Sequence, residues 1–204
     1  MKNVLLMLGA FDPITTGHIK LAQFVLSKLN YFNEAWITPC YKHIYNKKME
    51  SPEHRMEMCS IATKNDPRLK MFPYEVAHKI TGGTYNFVEK LLSEDFSKDK
   101  KYSIVVGMDN ANTLHKWINC EKLLEMINFI VVSRQGIERN NNIDWYKTYP
   151  HIFLEAGDEV PLTSSTDVRI KLGKDEYLDG LIDEDVFKYI VEYGLYMPKK
   201  INDL

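Results

Sequence analysis

Short apolar runs alternate with amphipathic segments along the whole chain. Continuous apolar and β-branched runs, such as those at 102–107 and 129–134, are typical of strands that are buried on both faces of a sheet. The same kind of pattern predicts six strands, at residues 4–8, 34–39, 70–76, 102–107, 129–134 and 151–156. Pro73 lies inside the third segment, and because proline cannot donate to a strand ladder, it favours an edge position there.

The segments between these strands have helical features. Apolar residues recur at helical spacing over residues 19–29, and Ser51 followed by Pro52 is typical of a helix start. Three further helices are predicted by capping residues and apolar spacing; they begin near Thr84, Ser164 and Asp183, and the last one ends at Gly194.

Strands that alternate with helices predict an α/β fold, a single Rossmann-like, doubly wound parallel sheet with helices on both faces. The chain has 204 residues, of which 45% are hydrophobic, and no linker rich in Gly, Ser or Pro divides it. Such a chain is long enough for one well-filled domain and short for two. We therefore expect residues 1–204 to form one domain.

Composition excludes several classes of function. A net charge of −2 argues against a sequence-independent nucleic-acid binder, which needs a basic excess. No apolar run approaches the roughly 20 residues of a membrane-spanning helix, so no membrane partner is expected. The three cysteines are scattered, which indicates a reducing, cytoplasmic location and excludes a cysteine-rich zinc site.

The first predicted turn, within MLGAFDPITTGHIKL (residues 7–21), carries candidate chemistry. Gly9 and Gly17 would let a ligand approach the backbone, although turn geometry alone is an equal explanation for the two glycines. His18 changes this balance, because a protonated imidazole at a helix N-terminus is disfavoured unless an anion is bound nearby. The turn therefore predicts a phosphate site.

This turn resembles the signature G-x-F-x-P-x-[HT]-x-G-H of the nucleotidylyltransferase superfamily, matched at residues 9, 11, 13, 15, 17 and 18. The family usually has histidine at the position of Thr15. Threonine can donate a hydrogen bond to a phosphate, but it carries no charge. The resemblance implies ATP as a substrate, and it implies the following ATP-binding residues in this turn: Gly9, Ala10, Phe11, Thr15, Gly17 and His18.

Two later segments narrow the resemblance to the nicotinate/nicotinamide-mononucleotide adenylyltransferases, over nearly the whole chain. TGGTYNFVEKL (81–91) is similar to the family's G-G-x-[ST]-Y-T-x-x-T-L, and VVGMDNANTLHKW (105–117) is similar to its G-x-D followed by L-x-x-W. The resemblance implies contacts to the mononucleotide from Thr84, Tyr85, Asn86 and Trp117, and contacts to ATP from Gly107 and Asp109. A capped helix start explains the first segment equally well, and burial statistics alone favour a core role for Trp117.

TSSTDVRIKL (163–172) resembles the family's I-S-S-T-x-[IV]-R, which implies phosphate contacts from Ser165, Thr166 and Arg169. Helix capping by Ser164 explains part of this segment, but it does not require the arginine. SRQG (133–136) matches K-R-P-G, which implies that Arg134 contacts adenosine or phosphate.

The loop CYKHIYNKKMESPEHR (40–55) is the weakest match, to a P-P-H-K segment. We assign Lys47, with Lys48 as the alternative, as the lysine that neutralises phosphate and contacts the mononucleotide. The resemblance also implies a contact from Thr15 to the mononucleotide. His54 and Arg55 are interpreted as structural. The implied catalytic residues are His18, Lys47 and Arg169.

The implied reaction is transfer of the adenylyl group of ATP to nicotinate mononucleotide, or to its amide, by in-line attack of the mononucleotide phosphate. The products are deamido-NAD or NAD, and pyrophosphate. Mg²⁺ is expected to travel on the substrate phosphates, with no protein metal site. We expect nicotinate mononucleotide to be preferred over its amide, because the overall sequence pattern is closer to that of bacterial-type enzymes. Three alternatives stay open: a pantetheine-phosphate adenylyltransferase, a cytidylyltransferase, and a non-catalytic adenine-nucleotide-binding module. The sequence leaves the oligomeric state open, including a homo-oligomer.

Overall fold

The computed structural model describes residues 1–45, 47–134, 136–140 and 142–198. Six strands form one sheet: β1 (Lys2–Gly9), β2 (Glu34–Pro39), β3 (Leu69–Met71), β4 (Lys100–Gly107), β5 (Asn128–Ser133) and β6 (Ile152–Glu155). Their order is β3-β2-β1-β4-β5-β6, and every neighbouring pair is parallel. The predicted doubly wound parallel sheet is confirmed.

Eight α-helices lie in the described part of the chain: α1 (Thr16–Lys28), α2 (Pro52–Thr63), α3 (Tyr74–Ala77), α4 (Thr84–Ser93), α5 (Met108–Ala111), α6 (Cys120–Met126), α7 (Ser165–Gly173) and α8 (Glu184–Tyr193). Three single turns of 3₁₀-helix lie at Asp95–Ser97, Leu114–Lys116 and Trp145–Lys147. None of the described helices is both long enough and apolar enough to cross a membrane.

The alternation of side chains along β1 explains why its sequence is continuously apolar. Val4 and Leu6 belong to a core cluster that includes residues of α4, α5 and α6. Leu5 and Met7 belong to the opposite cluster, which includes residues of α1, α2, α7 and α8. Because successive strand residues point to opposite faces, a strand covered by helices on both sides needs no polar positions.

Side-chain caps begin three of the helices where the sequence indicates them. Ser51 Oγ accepts from the backbone N–H of His54, and Ser164 Oγ accepts from that of Asp167. Asp183 accepts from the N–H groups of Asp185 and Val186 at the start of α8. The predicted cap at Thr84 is wrong, because the N-cap of α4 is Gly83 and Thr84 is the first helical residue.

The predicted strand over residues 70–76 is also wrong in its second half. Strand β3 has only three residues and pairs only with β2, at the edge of the sheet. Pro73 has no N–H to donate to a ladder, and its carbonyl accepts instead from the N–H of Ala77, 2.8 Å away. Residues 74–77 therefore form a short helix.

The functional edge of the sheet is set by the order of β1 and β4. These strands are neighbours, and Gly9 and Gly107 end them at the same edge. The chain leaves β1 towards the face covered by α1 and leaves β4 towards the opposite face, covered by α5. A crevice at such a switch point is where open α/β sheets bind ligands.

Candidate active site

The turn after β1 folds back on itself. Phe11 has a φ of 48°, in the left-handed region, and its ring lies under Gly9. A Cβ added to Gly9 would come within 3.2 Å of that ring, so the absence of a side chain at Gly9 leaves room for the ring. The ring also meets His18 edge-on, with a centroid distance of 5.1 Å. Gly9 thus makes room for the Phe11 ring, and that ring contacts the imidazole of His18.

His18 lies in the first turn of α1, and its Nδ1 faces the N-cap residue. The backbone N–H of Thr15 donates to Nδ1 at 3.0 Å, and Thr15 Oγ1 lies 2.8 Å from the same nitrogen. Burial, and secondly the positive charge of Arg134, lower the pKa of His18 to about 4. The imidazole is therefore neutral at pH 7. Because Nδ1 accepts from Thr15 N–H, the ring proton lies on Nε2.

The predicted reason for Gly17 is wrong in this structure. A Cβ at Gly17 would come within 2.3 Å of Thr163 Oγ1 and 2.9 Å of the Pro161 carbonyl oxygen, so the space beside it is filled by protein. Its N–H donates to Thr163 Oγ1 at 3.0 Å. Gly17 therefore permits close packing of the segment before α7, and its N–H already has a protein partner.

The start of α7 packs against the same turn. Ser165 Oγ donates to the Pro13 carbonyl oxygen at 2.7 Å. Arg169 Nη1 donates to the Asp12 carbonyl oxygen at 2.6 Å, and its Nη2 donates to Thr166 Oγ1 at 3.2 Å. Arg169 and the N-termini of α1 and α7 are thus brought to one place, although their sequence separation is about 150 residues.

Asp12 supports this arrangement from inside the protein. Its side chain is almost fully buried, and its Oδ1 accepts from the Glu50 N–H at 3.0 Å and from the Tyr196 hydroxyl at 2.8 Å. Its Oδ2 lies 3.8 Å from Arg169 Nη1. The carboxylate therefore connects the first turn, the segment before α2, the end of α8 and the arginine of α7.

Gly107, Asp109 and Arg134 meet at the ends of β4 and β5. Arg134 Nη2 lies 3.7 Å from Asp109 Oδ1, and a Cβ at Gly107 would come within 2.5 Å of the same oxygen. Arg134 Nε is buried and has no hydrogen-bond partner among the described residues. A cavity of about 500 Å³ adjoins Arg134 beyond β5 and β6, and its wall includes Ile137, Glu155 and Gly157. The guanidinium thus lines an open volume and is close enough to His18 for its charge to lower the pKa of the imidazole.

Four of the predicted mononucleotide residues, Thr84, Tyr85, Asn86 and Trp117, lie on the face of the sheet that α4 covers. Thr84 opens α4, Tyr85 donates its hydroxyl hydrogen to Glu89 Oε1 at 2.9 Å, and Asn86 Nδ2 donates to the Thr81 carbonyl oxygen at 2.9 Å. Trp117 follows a 3₁₀ turn. Its half-buried ring packs against the core cluster of the α4 face, which leaves part of the ring available to a ligand.

Lys47 and the loop around it are exposed. Its charge acts on His43, whose pKa is lowered by burial and then by Lys47. The loop approaches α4, since a Cβ at Gly83 would lie 3.1 Å from Ile44 Cδ1. Lys48 is exposed as well. No contact within hydrogen-bond distance joins Lys47 to the first turn among the described residues, so its assignment stays a prediction.

Two ionisable residues hold the beginning of this loop. Arg55 is fully buried and donates to the carbonyl oxygens of Ala10, Cys40 and Glu50, which agrees with the structural interpretation made from the sequence. Glu75 accepts the Tyr41 N–H at 3.1 Å. Burial raises the pKa of Glu75 to about 7, although the Tyr41 N–H and the Arg55 charge act in the opposite direction.

Sequence reasoning missed Asp12, Thr163, Glu75 and Tyr196. Asp12 and Thr163 lie inside quoted motifs but at positions where the family pattern makes no demand for a polar side chain. Glu75 and Tyr196 lie in no motif. In the part of the chain that is described, no three His, Cys, Asp or Glu side chains are grouped to hold a metal ion.

Comparisons with known proteins show the family to which the chain belongs. The model of the family described as Cytidylyltransferase-like matches residues 6–171, so the chain belongs to this family of nucleotidylyltransferases. It is 31% identical to the nicotinate-nucleotide adenylyltransferase of Bacillus subtilis, over 96% of this chain and 99% of that protein. It is also 31% identical to a probable nicotinate-nucleotide adenylyltransferase of Enterococcus faecalis, over 100% and 89% of the two chains. The chain is therefore a member of the nicotinate-nucleotide adenylyltransferase family.

Solved structures support the fold. The nicotinic acid mononucleotide adenylyltransferase of Plasmodium falciparum, in a complex with NaAD, superposes with a TM-score of 0.80 at 23% identity. The superposition covers 96% of this chain and 98% of that one. At this identity the likeness concerns the fold, which is the same six-stranded α/β architecture over the whole chain.

Proposed function

We propose that the chain transfers the adenylyl group of ATP to nicotinate mononucleotide, giving deamido-NAD and pyrophosphate. The observation that carries this proposal is the packing of the α7 start, with Arg169, against the turn that holds His18. Two helix N-termini and a guanidinium at one turn make a site for a polyanion. The names of the relatives supply the second substrate.

The triphosphate occupies the space outside the first turn in this proposal. Arg169 neutralises the leaving pyrophosphate with its planar fork, which suits phosphate oxygens. Ser165 and Thr166 contribute donors at the first turn of α7. His18 donates from Nε2 to the α-phosphate as a neutral imidazole, so the hydrogen bond needs no protonation at pH 7.

Adenosine lies towards β4 and β5. Asp109 accepts hydrogen bonds from the ribose hydroxyls, the usual use of an acid at this position of a doubly wound sheet. The cavity of about 500 Å³ beside Arg134 is in the range that holds a small ligand, and we assign the adenine base to it. The free Nε–H of Arg134 then gains a partner from the nucleotide or from a water molecule.

The mononucleotide takes the other side of the crevice, towards α4. Backbone N–H groups at Thr84, Tyr85 and Asn86 are free at the helix start and suit the pyridine carboxylate. Trp117 stacks on the pyridine ring with the exposed part of its side chain. Lys47 reaches the phosphate from the exposed loop. Thr15, which the resemblance also implied as a phosphate contact, has a buried hydroxyl that is bonded to Thr163 and His18, so it supports the site through His18 instead.

The chemical step requires alignment and neutralisation of charge. The mononucleotide phosphate is already ionised near pH 7, so it attacks the α-phosphorus without a general base, and pyrophosphate leaves from the opposite side. His18, Lys47 and Arg169 stabilise the charge on the transferring and leaving groups. The bond that breaks joins the α-phosphorus of ATP to the oxygen that leaves with pyrophosphate. The bond that forms joins the α-phosphorus directly to an oxygen of the mononucleotide phosphate, so no covalent intermediate with the protein is needed.

Mg²⁺ is proposed to enter on the phosphates of ATP. The residues present fit an ion that keeps most of its oxygen ligands from substrate and water, because Asp12, the carboxylate nearest the turn, is already engaged by Glu50 N–H and Tyr196. When bound, the ion supplies positive charge to the phosphate oxygens. The protein contributes the donors named above.

The three cysteines form no disulfide in the structure. Free thiols, one of them fully buried at Cys59, suit a reducing compartment. We propose that the enzyme acts in the cytoplasm.

A panel of phosphorylated acceptors tests the proposed function. Purified protein is incubated with ATP and Mg²⁺ and with nicotinate mononucleotide, nicotinamide mononucleotide or phosphopantetheine, and pyrophosphate release is measured together with the dinucleotide product. We expect the highest kcat/KM with nicotinate mononucleotide. Faster reaction with phosphopantetheine would assign the chain to another transferase of the superfamily, and no pyrophosphate with any acceptor would contradict catalysis.

A further inference from the structure

Thr163 is the last residue but one before α7, and it contacts the first turn from across the crevice edge. Its Oγ1 accepts from the Gly17 N–H at 3.0 Å and donates to Thr15 Oγ1 at 3.0 Å. Thr15 Oγ1 in turn lies 2.8 Å from His18 Nδ1. Four residues thus form one chain of hydrogen bonds that ends on the imidazole.

The imidazole end of this chain fixes the direction of the hydrogen bond between Thr15 and His18. Gly17 N–H and Thr15 N–H are backbone groups that can only donate, and they bond to Thr163 Oγ1 and to His18 Nδ1 respectively. The Thr163 hydroxyl donates to Thr15 Oγ1, and because Nδ1 carries no proton, the Thr15 hydroxyl directs its hydrogen to Nδ1. In the reverse direction Thr15 N–H would lose its acceptor, since Nδ1 would carry a proton.

We infer that Thr163 is a positioning residue for adenylyl transfer: it directs the Thr15 hydroxyl to Nδ1 as a second donor beside the Thr15 backbone N–H, and so strengthens the orientation and tautomer of His18 that carry the ring proton on Nε2. The inference rests on the proposed role of His18 as a donor to phosphate. Thr163 does not touch the substrate in this scheme; it acts on the reaction only through the ring.

The tautomer matters because this imidazole is neutral. Burial removes the second ring proton at pH 7, so only one of the two nitrogens can donate. With the proton on Nδ1, the lone pair of Nε2 would face the phosphate and repel its oxygens. With the proton on Nε2, the ring donates a hydrogen bond at the position where negative charge increases.

Positions 15 and 163 both carry a hydroxyl side chain in this sequence. The family pattern has isoleucine at the position of Thr163, and usually histidine at that of Thr15, whereas this chain has threonine at both. The Thr15 side chain is 2% exposed, so its hydroxyl needs a protein partner, and Thr163 supplies it. Threonine at 163 therefore completes the bonds that a threonine at 15 requires.

Thr163→Val tests the inference, because valine has the shape of threonine and lacks the hydroxyl. We expect kcat to fall by about tenfold or more, the scale on which loss of the group that orients a ligand histidine acts. The KM values for ATP and for nicotinate mononucleotide should change by less than about threefold, because binding contacts outside the ring are kept. T163S, which restores the hydroxyl, should recover most of kcat.

A second threonine serves as the matched control. Thr63 is buried in α2, and among the described residues its hydroxyl bonds only to the carbonyl oxygens of Cys59 and Ser60 in the same helix. T63V makes the same chemical change away from the crevice. We expect T63V to alter the melting temperature and to leave kcat unchanged, whereas T163V should lower kcat even at temperatures far below its melting point.

The tautomer itself is measured by long-range ¹H–¹⁵N correlation spectra of the ring nitrogens, with the His18 signals assigned by comparison with H18Q. We expect wild type and T163S to show an unprotonated Nδ1 and a protonated Nε2. In T163V, where only the Thr15 backbone N–H still directs a hydrogen to Nδ1, we expect a shifted Nδ1 signal and a detectable share of the other tautomer. Wild-type kcat and an unchanged tautomer in T163V would overturn the inference. If wild type itself transferred no adenylyl group, the proposed function would fail, while these spectra would still decide the role of Thr163.

Discussion

At His18, burial and the charge of Arg134 act in the same direction, and both keep the imidazole neutral. The positive charge at the first turn therefore comes from Arg134, Arg169 and the N-termini of α1 and α7. The sequence motif suggested the opposite emphasis, a histidine that is charged when an anion is bound. In the structure the ring is a hydrogen-bond donor inside a site whose charge comes from its neighbours.

The charge of Glu75 depends on pH near neutrality. Its pKa is raised by burial to about 7, so the folded protein binds a proton more tightly than the unfolded chain between about pH 4.5 and 7. As the pH rises through this window, the folded state must ionise a partly buried carboxyl, and this contribution to stability is lost.

We expect the difference in unfolding free energy between wild type and E75Q to change with pH. Glutamine also accepts the Tyr41 N–H but has no charge to bury. From pH 5 to pH 8, wild type should lose about 1–3 kcal/mol relative to E75Q, which corresponds to a shift of about two pKa units. Urea unfolding at four pH values measures this difference. A pH-independent difference between the two proteins would show that Glu75 has an ordinary pKa.

Local signals explain which site residues could be predicted from the sequence. Glycines and capping residues mark the starts of α1 and α7, and they are recognisable within a few positions. The contacts that join these starts are not local: Thr15 and Thr163 lie 148 positions apart, and Asp12 and Tyr196 lie 184 apart. Such partners are chosen by the packing of whole elements, so a single sequence gives no sign of them.

At the scale of elements, the site depends on how closely the segment before α7 approaches the start of α1. The approach is possible because Gly17 has no side chain, and Pro161 and Thr163 occupy the vacant space. The polar contacts of Ser165 and Arg169 with the first turn follow from the same approach. A change at Gly17 should therefore affect catalysis through the position of α7.

We expect G17A to lower both the melting temperature and kcat, the latter by at least about tenfold. The added Cβ would lie 2.3 Å from Thr163 Oγ1 and 2.9 Å from a backbone oxygen, so the segment must move. Thermal melting and steady-state kinetics measure the two effects.

G173A is the matched control for this substitution. Gly173 is the last residue of α7, and a Cβ there would meet nothing within 4 Å. We expect it to keep wild-type kcat and to melt at the same temperature or slightly higher, because alanine restricts the unfolded chain. Equal kcat for G17A and G173A would contradict the packing explanation.

The sequence predicted best those strands that are buried on both faces of the sheet. Strands β1, β4 and β5 lie between two helical layers, so their continuous apolar runs were recognised from the sequence. The segment after β3 was not, because residues 70–76 have a strand-like composition while Pro73 begins a helical turn. At an edge strand with one neighbour, local backbone chemistry decides the structure.

At the scale of the whole molecule, the sheet joins both halves of the chain. Strands β1 and β4 are central neighbours, and the core clusters on the two faces each contain residues from both sequence halves. Arg169 and Tyr196, from the last 40 residues, bond to Asp12 in the first turn. We therefore propose that residues 1–204 form one cooperative unit.

Calorimetric unfolding tests this proposal. We expect a single transition whose calorimetric and van't Hoff enthalpies agree, because no part of the sheet can be removed without exposing a core cluster. Binding of ATP analogues should move that one transition to higher temperature. Two transitions, of which only one responds to the nucleotide, would show that the chain has two independent domains.

The turnover of H18A with ATP and nicotinate mononucleotide tests the central claim most directly. The claim is that the turn between β1 and α1 is the place where the adenylyl group is transferred. We expect kcat to fall by roughly 10²–10³, the scale of losing one donor that stabilises transition-state charge, with the fold and ATP binding retained. A folded H18A protein with near wild-type turnover would contradict the claim.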